Sequence, residues 1–285
     1  MTAAILDGIA LGLQFGILAA GFTLVYGLGG VLNLAYGQLA VVSAIAVVLA
    51  MDAGLHTLVA VGIGLLAGGV AGFILDTTLL RPVYRQEGEA RVLLSLLLTL
   101  GLAFIIDGFL LQRYPTKALS LRVGRGVIDI LGVPMRRGVL WASAISLVAF
   151  AVLAAYLRWS RSGKAIRSII QNEEGARLVG IDPKRMQTLI LVLSGFLAAL
   201  VAVTRSMATP VTVSHGVELT IFALIVTVVG GLGSVAGAFL GGLILGVVNT
   251  ISAFYIGTFL TFTILMVVAA LTILIRPSGL LGRPE

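Results

Sequence analysis

The chain contains no cysteine, which removes disulfide scaffolds, thiolate metal sites and cysteine nucleophiles from consideration. Histidine is nearly as scarce: His56 and His215 stand far apart and leave little for a metal such as zinc. Only 11% of the 285 residues are charged, against about 25% in ordinary soluble domains. So few charges cannot clothe a globule of this size in water, and most of its outer surface must face lipid. No G-x-x-x-x-G-K-[ST] motif is present. The Gly163-Lys164 pair is followed by Ala165 and has Arg158 where the first glycine should stand, so nucleotide must bind elsewhere. A net charge of +7 comes without an aromatic-basic motif, which leaves nucleic-acid binding unsupported. No catalytic residue is nominated either. Ser234 lies in Gly-Leu-Gly-Ser rather than the Gly-x-Ser-Gly elbow of a serine nucleophile, and His215 sits beside Gly216 and Glu218 in a polar stretch.

What fills the chain is apolar: 59% of residues, with a mean hydropathy of +1.13. A spanning helix needs about 20 such residues to cross roughly 30 Å of hydrocarbon. The 44 uncharged residues between Asp7 and Asp52 would make about 66 Å of helix, which is two crossings, with a break at Gly27-Leu28-Gly29-Gly30. Residues 53–75, 92–112, 138–157 and 186–204 give one span each. The 57 uncharged residues from 219 to 275 hold either two spans and a re-entrant segment or three short spans. The expectation is an all-α polytopic membrane protein of eight or nine transmembrane helices, forming a single transmembrane domain over residues 1–285. The opening MTAAILDG lacks a basic n-region and its apolar run is too long for a signal peptide.

Orientation follows from Lys and Arg. Loop 81–91 carries Arg81, Arg85 and Arg91, and loop 158–185 carries seven more, from Arg158 to Arg185. Two helices separate these loops, so they share a face, which their charge makes cytoplasmic and which puts the N-terminus outside. The segment 113–137 opposes this with Arg113, Lys117, Arg122, Arg125, Arg136 and Arg137. Nine crossings would bring Arg276 and Arg283 to the cytoplasmic side, which favours nine.

Thirty-six glycines carry no Gly-X-Y period, and many stand four apart: Gly12 and Gly16; Gly64, Gly68 and Gly72; Gly233, Gly237 and Gly241; Gly242 and Gly246. That spacing lets helix backbones touch, within one bundle or between two subunits. The halves of the chain also resemble one another, since Gly29 and Gly30 in the first and Gly230, Gly231 and Gly233 in the second interrupt long apolar runs. Broken helices in two related halves are the sequence mark of a transport pathway. Uncharged polar residues gather beside the breaks, Asn33, Gln38 and Ser43 in one half and Thr227, Ser234 and Asn249 in the other. They are candidates for the lining of a path, or for interhelical hydrogen bonds. Asp76 and Asp107 read as boundary charges. Without a chain of acidic residues at mid-depth, a proton- or sodium-driven carrier lacks its usual equipment.

Between residues 158 and 186, Ala165, Ile166, Ile169 and Ile170 recur at helical spacing before a break at Gly180-Ile181-Asp182-Pro183. This predicts a short amphipathic helix that rests on the membrane surface or docks into a partner's groove. Glu174-Gly175-Ala176-Arg177-Leu178-Val179-Gly180-Ile181-Asp182-Pro183 resembles the EAA-type coupling loop of bacterial ABC importer permeases, with Gly175 standing where an alanine is usual. Gly21 to Gly27, Val31 to Gln38 and Gly230 to Gly246 are similar to signatures of the LivH-type permease subunits of branched-chain amino acid ABC transporters, in the same order, with Tyr36 where many relatives have His.

The resemblance implies one subunit of an importer in the bacterial inner membrane, beside a second homologous permease, two cytoplasmic ATPase subunits that hold ATP and Mg, and a periplasmic solute-binding protein. By the same resemblance Glu174, Gly175, Ala176, Gly180 and Ile181 contact the ATPase and perform no chemistry. The solute would be a branched-chain or other apolar amino acid, although relatives also handle amides, urea and aromatic acids. An ion-coupled secondary transporter or channel shares the broken helices but needs neither the amphipathic loop nor an ATPase.

Overall fold

The computed structural model describes residues 2–121, 126–130 and 133–282. The helices are α1 (Thr2–Gly29), α2 (Tyr36–Asp52), α3 (Thr57–Leu75), α4 (Arg81–Val83), α5 (Gly88–Arg113), α6 (Arg137–Trp159), α7 (Arg161–Gln171), α8 (Glu173–Leu178), α9 (Pro183–Ser206), α10 (His215–Gly230), α11 (Val235–Tyr255) and α12 (Thr258–Ile275), with a π-turn (Asp76–Leu80) joining α3 to α4. Two small antiparallel pairs accompany them: β1 (Ala118–Leu119) with β4 (Val211–Thr212), and β2 (Val127–Ile130) with β3 (Val133–Arg136). Among the described residues, seven helices are long and apolar enough to cross a membrane, and α2 and α10 are shorter apolar helices of 17 and 16 residues. The chain is therefore an integral, all-α polytopic membrane protein. Its run 219–275 holds three helices, the first of which begins ahead of the run at His215.

Glycine sets the spacing of the central pairs. α1 and α11 lie antiparallel with backbones in contact: a Cβ on Gly246 would sit 2.3 Å from the Gly12 Cα. The same holds for α3 and α9, where a Cβ on Gly195 would lie 2.0 Å from the Gly68 carbonyl oxygen. Every four-spaced glycine named above meets a neighbour within this chain. In lipid there is no hydrophobic gain from pressing helices together, so such close approach and the dispersion it gives decide the packing.

Two three-helix units emerge. α1, α2 and α3 are joined by a non-helical link (30–35) and a short turn (53–56), and α9, α10 and α11 by a non-helical link (207–214) and a short turn (231–234). α1 packs on α11 as α3 packs on α9, and α2 packs on α10. The units run in opposite directions, because α9 starts on the face of loop 158–186 whereas α1 ends there: Gly27 and Gly30 border one cavity with Arg158 and Arg167. This corrects the pairing read from glycine alone. The break at Gly29 and Gly30 ends the first helix of its unit, while Gly230, Gly231 and Gly233 join the second and third helices of the other. The two breaks are not equivalent, yet they meet in space, where the Gly233 N–H donates to Thr23 Oγ1 at 2.9 Å.

The loop face also carries Tyr84 to Arg91, since the Arg91 guanidinium donates to the Gly29 carbonyl at 3.3 Å, and the C-terminal stretch, since the Leu281 N–H donates to the Gly230 carbonyl at 3.0 Å. Burial, and to a smaller extent the neighbouring Asp76 carboxylate, push the Tyr84 hydroxyl well above its ordinary value, against the pull of Arg91. The N-terminus lies on the far face, with Asp52 and Lys117, which form an ion pair. Arg122, Arg125 and Arg283 lie outside the described residues. Around the buried centre, α5, α6 and α12 turn Phe104, Val148 and Leu274 outward, as a lipid-facing surface requires.

Candidate translocation site

The short helices α2 and α10 bring their N-terminal turns together inside the bundle. Chain that leaves helical geometry at membrane depth needs partners for its backbone, because no water is there to serve. Link 30–35 runs along α5 and receives them from side chains. The Leu32 N–H donates to Ser95 Oγ at 3.1 Å and the Leu34 N–H to Thr99 Oγ1 at 2.9 Å, near the middle of α5. From the other side α10 supplies Thr220, whose Oγ1 accepts from the Gly37 N–H at 2.8 Å and donates to the Leu34 carbonyl at 3.2 Å. Asn33 Oδ1 closes the turn by accepting from the Ala35 N–H at 3.0 Å. The approach leaves no room: a Cβ on Gly37 would lie 1.9 Å from the Gly216 carbonyl oxygen, and one on Gly216 would lie 2.0 Å from Gln38 Oε1.

Asn33 and Gln38 are thus brought to one buried junction, where Gln38 Nε2 donates to Asp107 Oδ1 at 3.2 Å and Asn33 Nδ2 and Gln38 Oε1 have no partner. Asp107, read as a boundary charge, is a member of this junction. Asp76 is likewise no solvated boundary group: it is 1% exposed, in the π-turn, and accepts from Thr188 of α9. Ser43 and Thr227 lie elsewhere, Ser43 bonded to the Leu39 carbonyl against Gly68 and Thr227 bonded to the Ala19 carbonyl. Ser234 caps α11 by accepting from the Gly237 N–H at 3.0 Å, and it borders a cavity of about 720 Å³ on the loop face, between the end of α1, α6, α7 and residues 232–236. Asn249 lines a separate cavity that reaches the far face. The six polar residues therefore mark five places, and only Asn33 and Gln38 share one.

Ser95, Thr99 and Thr220 escaped the sequence reading. The signal was there, in two hydroxyls four residues apart within Leu-Leu-Ser-Leu-Leu-Leu-Thr-Leu, a spacing that puts both on one helix face.

On the loop face, the chain between α6 and α9 folds into an elbow of two short helices. Ser160 caps α7 by accepting from the Gly163 N–H at 2.8 Å, Asn172 caps α8 by accepting from the Gly175 N–H at 2.8 Å, and Asp182 caps α9 by accepting from the Lys184 N–H at 3.0 Å with Pro183 in the first turn. Ile166 and Ile169 turn the apolar face of α7 into the core. Gly180 takes φ +84° and ends α8 in the left-handed region. Glu174 and Gly180 are exposed, Gly175 and Ile181 half-buried, and Ala176 is 3% exposed and faces the bundle. Past it, Leu178 at 90% and Val179 at 75% exposure project from an otherwise polar tip. These two residues were missed, although an adjacent apolar pair in a charged loop was visible. Among the described residues, no three His, Cys, Asp or Glu side chains gather as metal ligands.

Inverted three-helix units, short helices that meet inside the bundle and a structured elbow on one face define a membrane permease. The chain belongs to the family described as branched-chain amino acid transport system / permease component, which it matches over residues 4–275. It is 26% identical to the high-affinity branched-chain amino acid transport system permease protein LivH of Escherichia coli (strain K12), over 98% of this chain and 94% of that protein. It is 28% identical to the corresponding permease protein BraD of Pseudomonas aeruginosa, over 99% and 95% respectively. The ribose import permease protein RbsC of Escherichia coli (strain K12) is 27% identical over 82% of this chain and 72% of its own length.

Proposed function

We propose that this chain is the membrane-spanning subunit of an ATP-driven ABC importer, forming half of the pathway for branched-chain or other apolar amino acids. In this reading it works in the bacterial inner membrane beside a second homologous permease. Two ATPase subunits hold ATP and Mg on the cytoplasmic side, and a periplasmic binding protein delivers the solute. The elbow carries the proposal. Its α7 face is anchored in the core, its three caps make it a defined element, and its exposed apolar tip is the kind of surface a protein partner covers.

The elbow joins α6 to α9, so ATPase closure beneath residues 158–186 would push on both. Glu174, Gly180, Leu178 and Val179 would touch the ATPase. Gly175, Ala176 and Ile181 would hold the contact surface in shape. α9 packs against α1, α2 and α3, so its tilt would open the junction of Asn33, Gln38 and Thr220, which is closed here.

The test is uptake of radiolabelled leucine into proteoliposomes holding the complete complex, with the binding protein on the delivering side. Uptake should require ATP and the ATPase subunits. Transport by this polypeptide alone, without nucleotide, would overturn the reading.

A further inference from the structure

A second cavity, of about 300 Å³, opens between α1, α9, α10, α11 and α12 toward the far face, and none of the polar clamps described above lies in it. One wall is charged. Arg205, in the last turn of α9, donates from Nη2 to Glu218 Oε1 in the first turn of α10 at 3.0 Å. The Arg205 side chain is only 16% exposed and its Nε has no partner, while Glu218 is 40% exposed. Aromatic rings line the cavity too. Phe15 and Phe222 stack with ring centroids 4.7 Å apart, and Phe262 stands edge-on to Phe222 at 6.1 Å. Asn249 adds a neutral polar group. Ionisable side chains among membrane-spanning helices are costly to keep and mark functional sites. A guanidinium with unused donors, a half-exposed carboxylate and a set of rings form the complement of one kind of molecule: a small zwitterion with an apolar side chain.

We propose that this cavity is a binding site for the solute itself, an α-amino acid with an apolar side chain, occupied between its arrival at the far face and its passage through the junction. The carboxylate lies on Arg205, the ammonium on Glu218, and the side chain against Phe15, Phe222 and Phe262. A sugar carries no charges to engage either member of the Arg205–Glu218 pair, and that mismatch is what disfavours it. The proposal rests on the import reading above and specifies where the importer touches its solute. The site is also wired to the rest of the machine. Glu218 stands two residues before Thr220, which clamps link 30–35, and α9 runs unbroken from Pro183 at the elbow to Arg205. A push on the elbow therefore reaches one half of the site along a single helix.

The experiment measures equilibrium binding to the complete membrane complex without its secreted binding protein, using leucine, leucinamide (no carboxylate) and 4-methylpentanoate (no ammonium), alongside ATP-driven leucine uptake. The wild type should bind leucine at least about tenfold more tightly than either analogue, since each analogue carries only one of the two charged groups that the Arg205–Glu218 pair can engage. Arg205→Gln should erase the preference over leucinamide, and Glu218→Gln the preference over 4-methylpentanoate. The exchange Arg205→Glu with Glu218→Arg keeps an ion pair and so separates misfolding from lost recognition; it should assemble yet lose leucine binding. Wild-type complex that imports leucine but shows no saturable binding up to millimolar concentration would overturn the proposal, as would an assembled exchange variant with unchanged KM and kcat. Specific binding in a complex that never imports with ATP would support the cavity and remove the import reading.

Discussion

Link 30–35 with the start of α2, and the elbow around α8 (residues 172–182), both interrupt the long spanning helices, and they solve the same problem in opposite ways. In the first, the backbone N–H groups of Leu32, Leu34 and Gly37 are handed to Ser95, Thr99 and Thr220, side chains of two other helices. In the second, Gly175 and Lys184 donate to Asn172 and Asp182, two or three residues away. The difference is solvent. At membrane depth an unpaired amide costs several kcal/mol, so a break must recruit distant partners and becomes locked by them. At the face, local caps and water suffice, so the segment keeps its own shape and leaves Leu178 and Val179 free for a partner.

The sharpest way to break the contrast is Gly37→Leu. Its first side-chain atom would already fall 1.9 Å from the Gly216 carbonyl oxygen, so the cost should exceed the about 1–3 kcal/mol of ordinary overpacking. No folded chain should survive extraction and size-exclusion chromatography. The matching change at the elbow, Leu178→Asp with Val179→Asp, should leave the thermal unfolding of the solubilised chain unmoved. It should instead abolish co-purification with the ATPase subunits; retained co-purification would remove the docking role. Thr99→Val preserves shape but orphans the Leu34 N–H, for an expected loss of about 1–3 kcal/mol and a lower unfolding temperature. Asn172→Ala removes only a local cap, about 1 kcal/mol, and hydrogen exchange should rise around residues 172–180 alone. Smallest of all, Lys117→Ala on the far face deletes an ion pair whose side chains are 39% and 51% exposed, and should change stability by less than about 1 kcal/mol.

Much of the architecture was legible. Charge-free gaps located the spans, and the spacing of Ile166, Ile169 and Ile170 with Gly180 and Pro183 located the elbow and its end. The run 219–275 stayed open because length cannot tell three short helices from two and a re-entrant loop, and α10 begins outside the run with Glu218 in its first turn. Pairing the halves by their glycines went astray because the equivalent links, 30–35 and 207–214, share a position in their units but no residue pattern. The candidate polar residues were chosen for closeness to glycine breaks along the chain, a poor guide to closeness in space: Ser43 and Thr227 seal helix contacts, while Ser95 and Thr99, more than 60 residues from link 30–35, hold it in place. Arg205 and Glu218 sit at the edges of apolar runs, where a linear reading sees only boundaries.

By itself, then, the sequence determined that this protein lives in lipid, that it crosses eight or nine times, which loops share a face and where its amphipathic elbow lies. Those properties follow from partitioning, which depends on the summed character of about 20 neighbouring residues and needs no knowledge of what they touch. Which hydroxyl serves which amide, and which carboxylate meets Arg205, was decided only by the tertiary structure. Hydrogen bonds and ion pairs act over about 3–4 Å, and the register that brings two helices within that distance is set by glycine contacts between segments far apart in the chain.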